Sequence, residues 1–309
     1  MSSKCCVCDS ESHETIQRRD AKSFEPLELH ECMGCGHVQQ GKMPSDQELL
    51  TYYSHHYRSD YKAVYKPKKK HIFRAGRIAI ERLKLLEPYQ RSGKSLLDVG
   101  AGGGEFVYLA KRSGWDATGI EPNVGYSEFA RQEYDVQVRT ATLNDQASGV
   151  VDVVTMFHVL EHMPRPRLSM QLIHERLSPD GLLLIEIPNL LQKDASPHNV
   201  FFKAHVQYFN RDTLLLLTSE LFECIEVQDT GNLRALFRKR SVVASARVPS
   251  SEALKDNSGR FHSKGWTQYL FHGGGWRKPF SRIRRHFEER AVQSLSPREI
   301  LDRIYSLET

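Results

Sequence analysis

The sequence predicts an α/β fold in which a doubly wound, Rossmann-like sheet of seven strands carries helices on both faces. Between about residues 94 and 240, short apolar runs rich in β-branched residues alternate with amphipathic stretches, as expected for strands buried on both faces. A glycine-rich turn joins the first of these runs to the helix that follows it. Five of the six cysteines lie in the first 35 residues, which predicts a separate small module there.

Residues 1–45 are predicted to form a zinc-binding module. The pairs Cys5-x2-Cys8 and Cys32-x2-Cys35 have the spacing of two thiolate knuckles, and four thiolates in a tetrahedron hold a structural zinc ion with no open coordination position. Cys6 is a rival for the ligand position of Cys5, which we favour. A disulfide framework is disfavoured, because the sequence MSSKCCVCDS contains no apolar run of the kind found in a secretion signal.

Residues 46–92 are predicted to form a helical connector or lid. A first helix is expected to begin after Ser45, and the apolar spacing of HIFRAGRIAIERLKLLEP predicts a second helix that ends at Pro88. The first segment contains the tyrosines Tyr52, Tyr53, Tyr57, Tyr61 and Tyr65. Two roles stay open for them, which are packing within the protein and forming a lid over a nearby pocket.

The main domain is predicted over residues 93–240. Five strands are expected in KSLLDVG, WDATGIEP, VQVR, VVDVVTMFHV and LLLIEIPN, and helices in GEFVYLAKRSG, VGYSEFARQEY, RPRLSMQLIHERLSPDG and RDTLLLLTSELF. Two further strands, CIEVQDT and LRALFRKR, are expected to form an antiparallel hairpin around Gly231 and Asn232. Residues 241–309 form a basic C-terminal extension that ends in a candidate amphipathic helix, SPREILDRIYSLE.

The glycine-rich turn LLDVGAGGGEF follows a strand and precedes a helix, a context in which the backbone can approach a ligand at the carboxyl edge of the sheet. A dinucleotide-binding turn needs a third glycine at the position of Glu105. Asp98 and Glu105 flank the turn, so a pyrophosphate is disfavoured and a cationic group is favoured, such as the α-ammonium of S-adenosylmethionine. Glu121, in GIEPN, lies where it can accept hydrogen bonds from both ribose hydroxyls.

These segments resemble the motifs of the class I S-adenosylmethionine-dependent methyltransferases. LLDVGAGGGEF is similar to their Asp-x-Gly-x-Gly-x-Gly motif, GIEPN to their second-strand acid, FHVLEHMPRP to the segment after their fourth strand, and SPDGLLLIEIPN with HVQYFNRDTLLLL to the fifth strand and the next helix. The resemblance covers about residues 94–240. It implies that S-adenosylmethionine contacts Asp98, Gly100, Ala101, Gly102, Gly104, Glu121, Pro122, Phe157 and His158.

The cysteine-rich head is also similar to that of zinc-containing sugar methyltransferases that act on nucleotide-linked deoxysugars. This likeness implies a small-molecule or saccharide acceptor. Those proteins carry a further C-terminal domain of Rossmann type, for which residues 241–309 are too few. The loop RTATLNDQ also departs from the family, which usually offers an acid there to the adenine amino group.

Methyl transfer is an in-line displacement at a sulfonium carbon, so the enzyme mainly aligns the nucleophile, the methyl group and the sulfur. A hydroxyl or carbon acid also needs a base, and histidine suits that role near neutral pH. The candidates are His158 and His162 after the fourth strand, with His205 and Tyr208 after the fifth. His205 is the first choice, because it follows the fifth strand, where the acceptor is expected to enter.

Three other functional classes stay open at this point. The order His158-x-x-Glu161-His162 is that of a group of zinc peptidases. However, a strand ends at this point, and Pro164 and Pro166 follow before a sustained helix can form. The others are an NAD(P)-dependent, sugar-modifying oxidoreductase, disfavoured by the acidic turn, and a non-catalytic zinc-ribbon adaptor that retains the fold.

Composition sets further expectations. A net charge of +5 and a pI of about 8.8 do not demand nucleic acid, so no specific nucleic-acid partner is expected. The longest apolar runs are far below the length that spans a membrane, and we expect a cytoplasmic protein. The basic extension, with SRIRRHF, is a candidate for a homodimer arm, an acceptor lid or a weak contact with anionic lipid.

Overall fold

The computed structural model describes residues 4–45, 48, 67–89, 94–145, 149–196, 200–277 and 288–308. The chain divides into two compact units. The first comprises Met1–Asp46 and Met156–Lys278, and the second comprises Gln47–Thr155 and Pro279–Thr309. None of the helices within the described ranges is both long enough and apolar enough to cross a lipid bilayer.

The predicted seven-stranded α/β sheet is confirmed. Its order is β10-β11-β8-β7-β4-β5-β6, with β4, β5 and β6 parallel to one another and β10, β11 and β8 antiparallel. The hairpin of β10 and β11 lies where the sequence predicted it. The strands are β4 (Ser95–Val99), β5 (Asp116–Ile120), β6 (Val138–Arg139), β7 (Val151–Phe157), β8 (Leu177–Ile187), β10 (Phe222–Gln228) and β11 (Leu233–Lys239).

The second unit holds the helices that follow the first two strands of the main domain. These helices are α2 (Glu105–Arg112) and α3 (Val124–Tyr134), both as predicted. The unit also contains α1 (Lys69–Leu86) and the amphipathic C-terminal helix α7 (Pro297–Glu308), which pack against each other. Gly76 permits this close packing, because a Cβ there would lie 2.7 Å from the side chains of Leu301 and Ile304.

The first unit contains a second sheet that the sequence analysis missed. Its four strands run antiparallel in the order β1-β2-β3-β9, and the module of the cysteines supplies three of them. The fourth comes from far along the chain, and it pairs Tyr208 with Val38 and Gln207 with Gln39. The strands are β1 (His13–Arg19), β2 (Pro26–Cys32), β3 (Val38–Gln40) and β9 (Gln207–Tyr208).

One helix boundary in the first unit corrects the prediction. Helix α4 (Pro166–Arg176) ends before the predicted Gly181, and β8 begins at Leu177. Pro179 disfavours helical backbone at the residue before it, and Asp180 has a left-handed φ of 58°, so the helix cannot continue. The other helices of the unit are α5 (Arg211–Thr218) and α6 (Ser251–His262).

The apolar core beneath the second sheet brings together side chains from distant parts of the first unit. It includes residues of β1, β2 and β3, the segment after β8, and Phe261 of α6. The predicted helix after Ser45, its tyrosines and the segment SRIRRHF lie outside the described residues.

Candidate active site

The glycine-rich turn lies between β4 and α2 in the second unit. Gly100, Gly102 and Gly104 have φ angles of 74°, 56° and 84°, a region that side chains other than glycine rarely adopt. A Cβ at Gly104 would also lie 2.6 Å from the Cβ of Ala130 in α3. The turn therefore needs glycine both for its backbone shape and for its contact with the neighbouring helix.

Glu121 holds this turn from the end of β5. Its carboxylate is 5% exposed and accepts hydrogen bonds from the backbone N–H of Gly102 at 2.9 Å and of Asn123 at 3.0 Å. Pro122 follows it, and the N–H of Ala101 donates to the carbonyl of Ile120 at 2.9 Å. The acid predicted to bind ribose thus lies directly beside the glycine turn.

Asp98, the last residue but one of β4, is a buried acid. Burial raises its pKa to about 7, although a hydrogen bond from the Thr155 hydroxyl, at 2.6 Å, and the charge of Arg82 oppose the rise. The nearby carboxylates of Glu121 and Glu105 raise this pKa further. Three acids close to the turn fit a ligand that brings a positive charge, and they oppose a phosphate.

His158 directly follows β7, whose last residue is Phe157, and belongs to the first unit. Its φ of 58° is unusual for a residue with a side chain, and its N–H donates to the carbonyl of Glu186 at 2.7 Å. The Nε2 atom accepts from the Asn232 amide at 3.2 Å, which places the ring proton on Nδ1. That Nδ1 lies 3.3 Å from Glu161 Oε1.

Glu161, His162 and His205 form a cluster in which the nearest ligand atoms all lie within 4.8 Å of one another. Glu161 is only 2% exposed. Burial opposes its ionisation, yet the contact from His158 and the charges of His162 and His205 lower its pKa to about 2. The structure therefore holds an ionised carboxylate among three imidazoles.

A cavity of about 200 Å³ lies in the first unit, and His205 and Tyr208 are part of its wall. Burial lowers the pKa of His205 to about 3, assisted by the neighbouring charge of His162, so its imidazole is neutral at physiological pH. The Tyr208 hydroxyl donates to the carbonyl of Phe202 at 3.0 Å. The remaining lining residues are Pro188, Asn189, Leu190, Gln192, Val200, Phe202, Gln207 and Asn232.

Two residues of this site escaped the sequence analysis. Glu186 is 2% exposed, accepts from Asn232 at 3.0 Å and from Arg234 at 2.8 Å, and lies 3.6 Å from His158 Nε2. An acid inside the apolar strand LLLIEIPN was the available signal, because a buried carboxylate needs partners. Asn232 was read only as part of a hairpin turn, and its amide joins His158 to Glu186.

The four predicted zinc ligands, Cys5, Cys8, Cys32 and Cys35, come together with all their sulfur atoms within 4.8 Å of one another. Two of the separations are 3.7 Å, for Cys5 and Cys35, and 3.5 Å, for Cys8 and Cys32. Sulfur atoms at 2.3 Å from a tetrahedral zinc ion lie about 3.8 Å apart, so the cluster fits that ion. Cys6 instead donates to Gln207 at 3.0 Å and is not part of this group of four.

Comparison with known proteins agrees with this geometry. Residues 70–221 match a family model described as a methyltransferase domain. The chain is 32% identical over 109 residues to the ubiquinone biosynthesis O-methyltransferase of Actinobacillus pleuropneumoniae, covering 31% of this chain and 47% of that protein. It is 36% identical over 97 residues to the enzyme of the same name from Pectobacterium carotovorum, covering 29% and 41%.

The chain spans less than half of the length of these curated relatives. Among solved structures, the magnesium protoporphyrin IX methyltransferase of Synechocystis aligns with a TM-score of 0.49 at 12% identity, over 63% of this chain and all of that one. The family match falls on the segment that contains the glycine turn, Glu121 and the histidine loop. Residues 70–221, just under half of the chain, are therefore similar to a methyltransferase domain.

Proposed function

We propose that the chain catalyses methyl transfer from S-adenosylmethionine to a small hydroxylated acceptor, of which a saccharide is the class we favour. The observation that supports the cofactor is the acidic glycine turn, where Asp98 and Glu121 are buried beside backbone that only glycine adopts easily. The ammonium of the cofactor would pair with this acidic site, and Glu121 would accept from its ribose hydroxyls.

The remaining cofactor contacts follow the family motifs. Gly100, Gly102 and Gly104 with Ala101 let the backbone approach the cofactor, and Pro122, Phe157 and His158 complete the contact set. S-Adenosylmethionine supplies an electrophilic methyl group when bound. The residues of this chain would orient it, exclude water and remove the proton of the acceptor.

His158 is the residue to which we assign the proton transfer. Its Nδ1 lies beside Glu161, and its Nε2 accepts a hydrogen bond from Asn232. Asn232 lines the cavity, so this side of the imidazole is directed toward the acceptor. His205 was the first choice from the sequence, but its pKa of about 3 makes it a weak base. We therefore propose that His205, His162 and Tyr208 position the acceptor, while the hydroxyl proton passes to His158.

The acceptor class follows from the wall of the cavity. Its volume of about 200 Å³ suits one sugar-sized ring, and four of its lining side chains are amides, Asn189, Gln192, Gln207 and Asn232. Asn189, Gln207 and Asn232 already bond within the protein, and their remaining hydrogen-bonding positions, with those of Gln192, suit a molecule that carries several hydroxyls. The curated relatives are named for methylation of a small molecule, which supports the coarser class.

The cysteine cluster is proposed to hold one structural zinc ion. Its four thiolates leave no coordination position open, so the ion would fold the module and take no part in methyl transfer. The spacing of the sulfur atoms supports this role, as does the separate hydrogen bond of Cys6 to Gln207.

The test is methyl transfer from labelled S-adenosylmethionine to a panel of nucleotide-linked and lipid-linked saccharides and phenolic small molecules. We expect a labelled saccharide, with activity at least tenfold lower in His158→Ala. Isothermal titration should detect S-adenosylhomocysteine binding and no NAD(P) binding. Binding of NAD(P) in preference to S-adenosylhomocysteine would overturn the proposal, and so would binding of the cofactor without transfer to any acceptor.

A further inference from the structure

The side chains of Glu161, His162 and His205 are arranged for a task that the methyl transfer does not by itself require. Their nearest ligand atoms lie within 4.8 Å of one another, and all three belong to the first unit. We infer that they bind a divalent transition-metal cation, separate from the cysteine cluster. The binding itself is independent of the proposed function, whereas the role of the cation in catalysis rests on it.

The Glu161 carboxylate is the strongest indication of a missing cation. Both of its oxygens are fully buried, and neither has a hydrogen-bond partner among the described residues. The nearest basic group is the imidazole of His158, whose Nδ1 lies 3.3 Å from Oε1. A carboxylate buried without hydrogen bonds is strongly unfavourable unless a positive charge is bound to it.

The imidazole of His162 has the protonation pattern of a metal ligand. Its Nδ1 lies 2.8 Å from the carbonyl of Ala204, and since a carbonyl can only accept, Nδ1 carries the proton. The Nε2 atom then has a lone pair, and it lies 4.0 Å from Glu161 Oε1. Histidines that bind metals usually donate from the other ring nitrogen to a carbonyl or a carboxylate in this way.

Backbone hydrogen bonds fix His205 beside the other two ligands. The N–H of Val206 donates to the carbonyl of Glu161 at 2.8 Å, and the Gln40 amide donates to the carbonyl of His205 at 2.8 Å. The rings of His162 and His205 have centroids 5.0 Å apart at an angle of 71°. Ligand atoms bound to one ion lie about 3.0–3.4 Å apart, so the widest separations here need to shorten by about 1–2 Å.

Two imidazoles and one carboxylate favour Mn²⁺, Fe²⁺ or Zn²⁺ over Ca²⁺ or Mg²⁺, which prefer oxygen ligands. Three protein ligands leave coordination positions open. Because His205 also lines the cavity, an oxygen of the acceptor can take one of those positions. We therefore expect the acceptor to carry adjacent oxygens, such as those of a vicinal diol, that can chelate the ion.

A cation held by Glu161, His162 and His205 would lower the pKa of an acceptor hydroxyl bound to it. The hydroxyl proton passes to His158, and the oxygen electron pair forms the new bond to the methyl carbon. The bond between that carbon and the sulfonium sulfur breaks, and its electron pair remains on sulfur in S-adenosylhomocysteine. No oxidant or reductant is required.

The test uses the full chain with its cysteine cluster loaded with zinc, and it measures Mn²⁺ binding by electron paramagnetic resonance. Mn²⁺ prefers oxygen and nitrogen ligands, so it does not replace zinc among thiolates. We expect about one Mn²⁺ per chain, and at least tenfold weaker binding in Glu161→Gln and in His205→Ala. The matched control is His262→Ala, since His262 belongs to the only other carboxylate and histidine group found among the described residues, with Glu14 and Glu31.

Unchanged Mn²⁺ binding in Glu161→Gln, or its loss in His262→Ala, would overturn the inference, as would the absence of binding in the parent. Circular dichroism and S-adenosylhomocysteine binding should be retained in Glu161→Gln, which separates metal loss from misfolding. Mn²⁺ bound at Glu161 without methyl transfer would leave this site standing and reject only the proposed function. Transfer that is equal with and without Mn²⁺ would remove the catalytic role.

Discussion

Replacement of the buried acid Asp98 by Asn should make the ligand-free protein more stable at high pH. Burial raises the pKa of Asp98 from 3.8 to about 7, so the folded state binds its proton more tightly than the unfolded state. Ionising the folded protein therefore costs stability. This loss is absent below about pH 4, grows as the pH rises, and is complete above about pH 7.

The size of this loss follows from the pKa. A tenfold change in proton affinity corresponds to 1.36 kcal/mol, so a rise from 3.8 to about 7 gives about 4 kcal/mol above pH 7. Asn cannot ionise, and its side-chain oxygen can still accept the hydrogen bond from Thr155. The free energy of unfolding of Asp98→Asn should exceed that of the parent by up to about 4 kcal/mol at pH 8 and by almost nothing at pH 4.

Urea denaturation of both proteins at pH 4, 6 and 8 measures this difference directly. The same charge should serve the cofactor, since a bound ammonium would compensate the ionised carboxyl. S-Adenosylhomocysteine should accordingly bind the parent more tightly at pH 7.5 than at pH 5.5, and bind Asp98→Asn weakly at both. A stability difference that is equal at all three pH values would refute the assignment of a raised pKa to Asp98.

Three further changes test other parts of the structure. Glu121→Ala should weaken S-adenosylhomocysteine binding by about 1–3 kcal/mol, roughly 5- to 150-fold, and an unchanged Kd in calorimetry would remove Glu121 from the cofactor site. Gly104→Ala should lower the free energy of unfolding by about 1–3 kcal/mol, because its φ of 84° is strained for alanine and the new Cβ would lie 2.6 Å from the Cβ of Ala130. The control Gly259→Ala should not destabilise the protein, because the space around Gly259 is open. Cys32→Ser should lose the zinc ion found by elemental analysis while Cys6→Ser keeps it, and equal zinc contents would contradict the ligand set.

Most of the main domain was predictable from the sequence, because its strands are buried and its helices are amphipathic. Runs such as VVDVVTMF fit the pattern of a buried strand and not that of an amphipathic helix, and the glycines indicate the turn after β4. The end of α4 was missed because Leu177 continues the apolar spacing of the helix. Only the restriction that Pro179 places on the residue before it reveals the change to a strand.

The second sheet could not be predicted, because β3 and β9 are only three and two residues long and β9 lies about 170 residues from its partner. Nothing in the local pattern of Gln207 and Tyr208 indicates pairing with Val38 and Gln39. For the same reason, nothing in the sequence indicated that the cysteine module contacts the segment that contains Gln207 and Tyr208. Contacts between segments that are distant in the sequence can be identified only from the three-dimensional structure.

This pairing connects the cysteine module with the cavity that we propose for the acceptor. The side-chain oxygen of Gln207 accepts from Cys6 at 3.0 Å and from His37 Nε2 at 2.8 Å, and its amide donates to the carbonyl of Met163 at 3.3 Å. Gln207 thus joins the cysteine module, the loop after β7 and the cavity wall, all within the first unit. Because the glycine turn and Glu121 belong to the other unit, loss of zinc should disturb acceptor binding far more than cofactor binding.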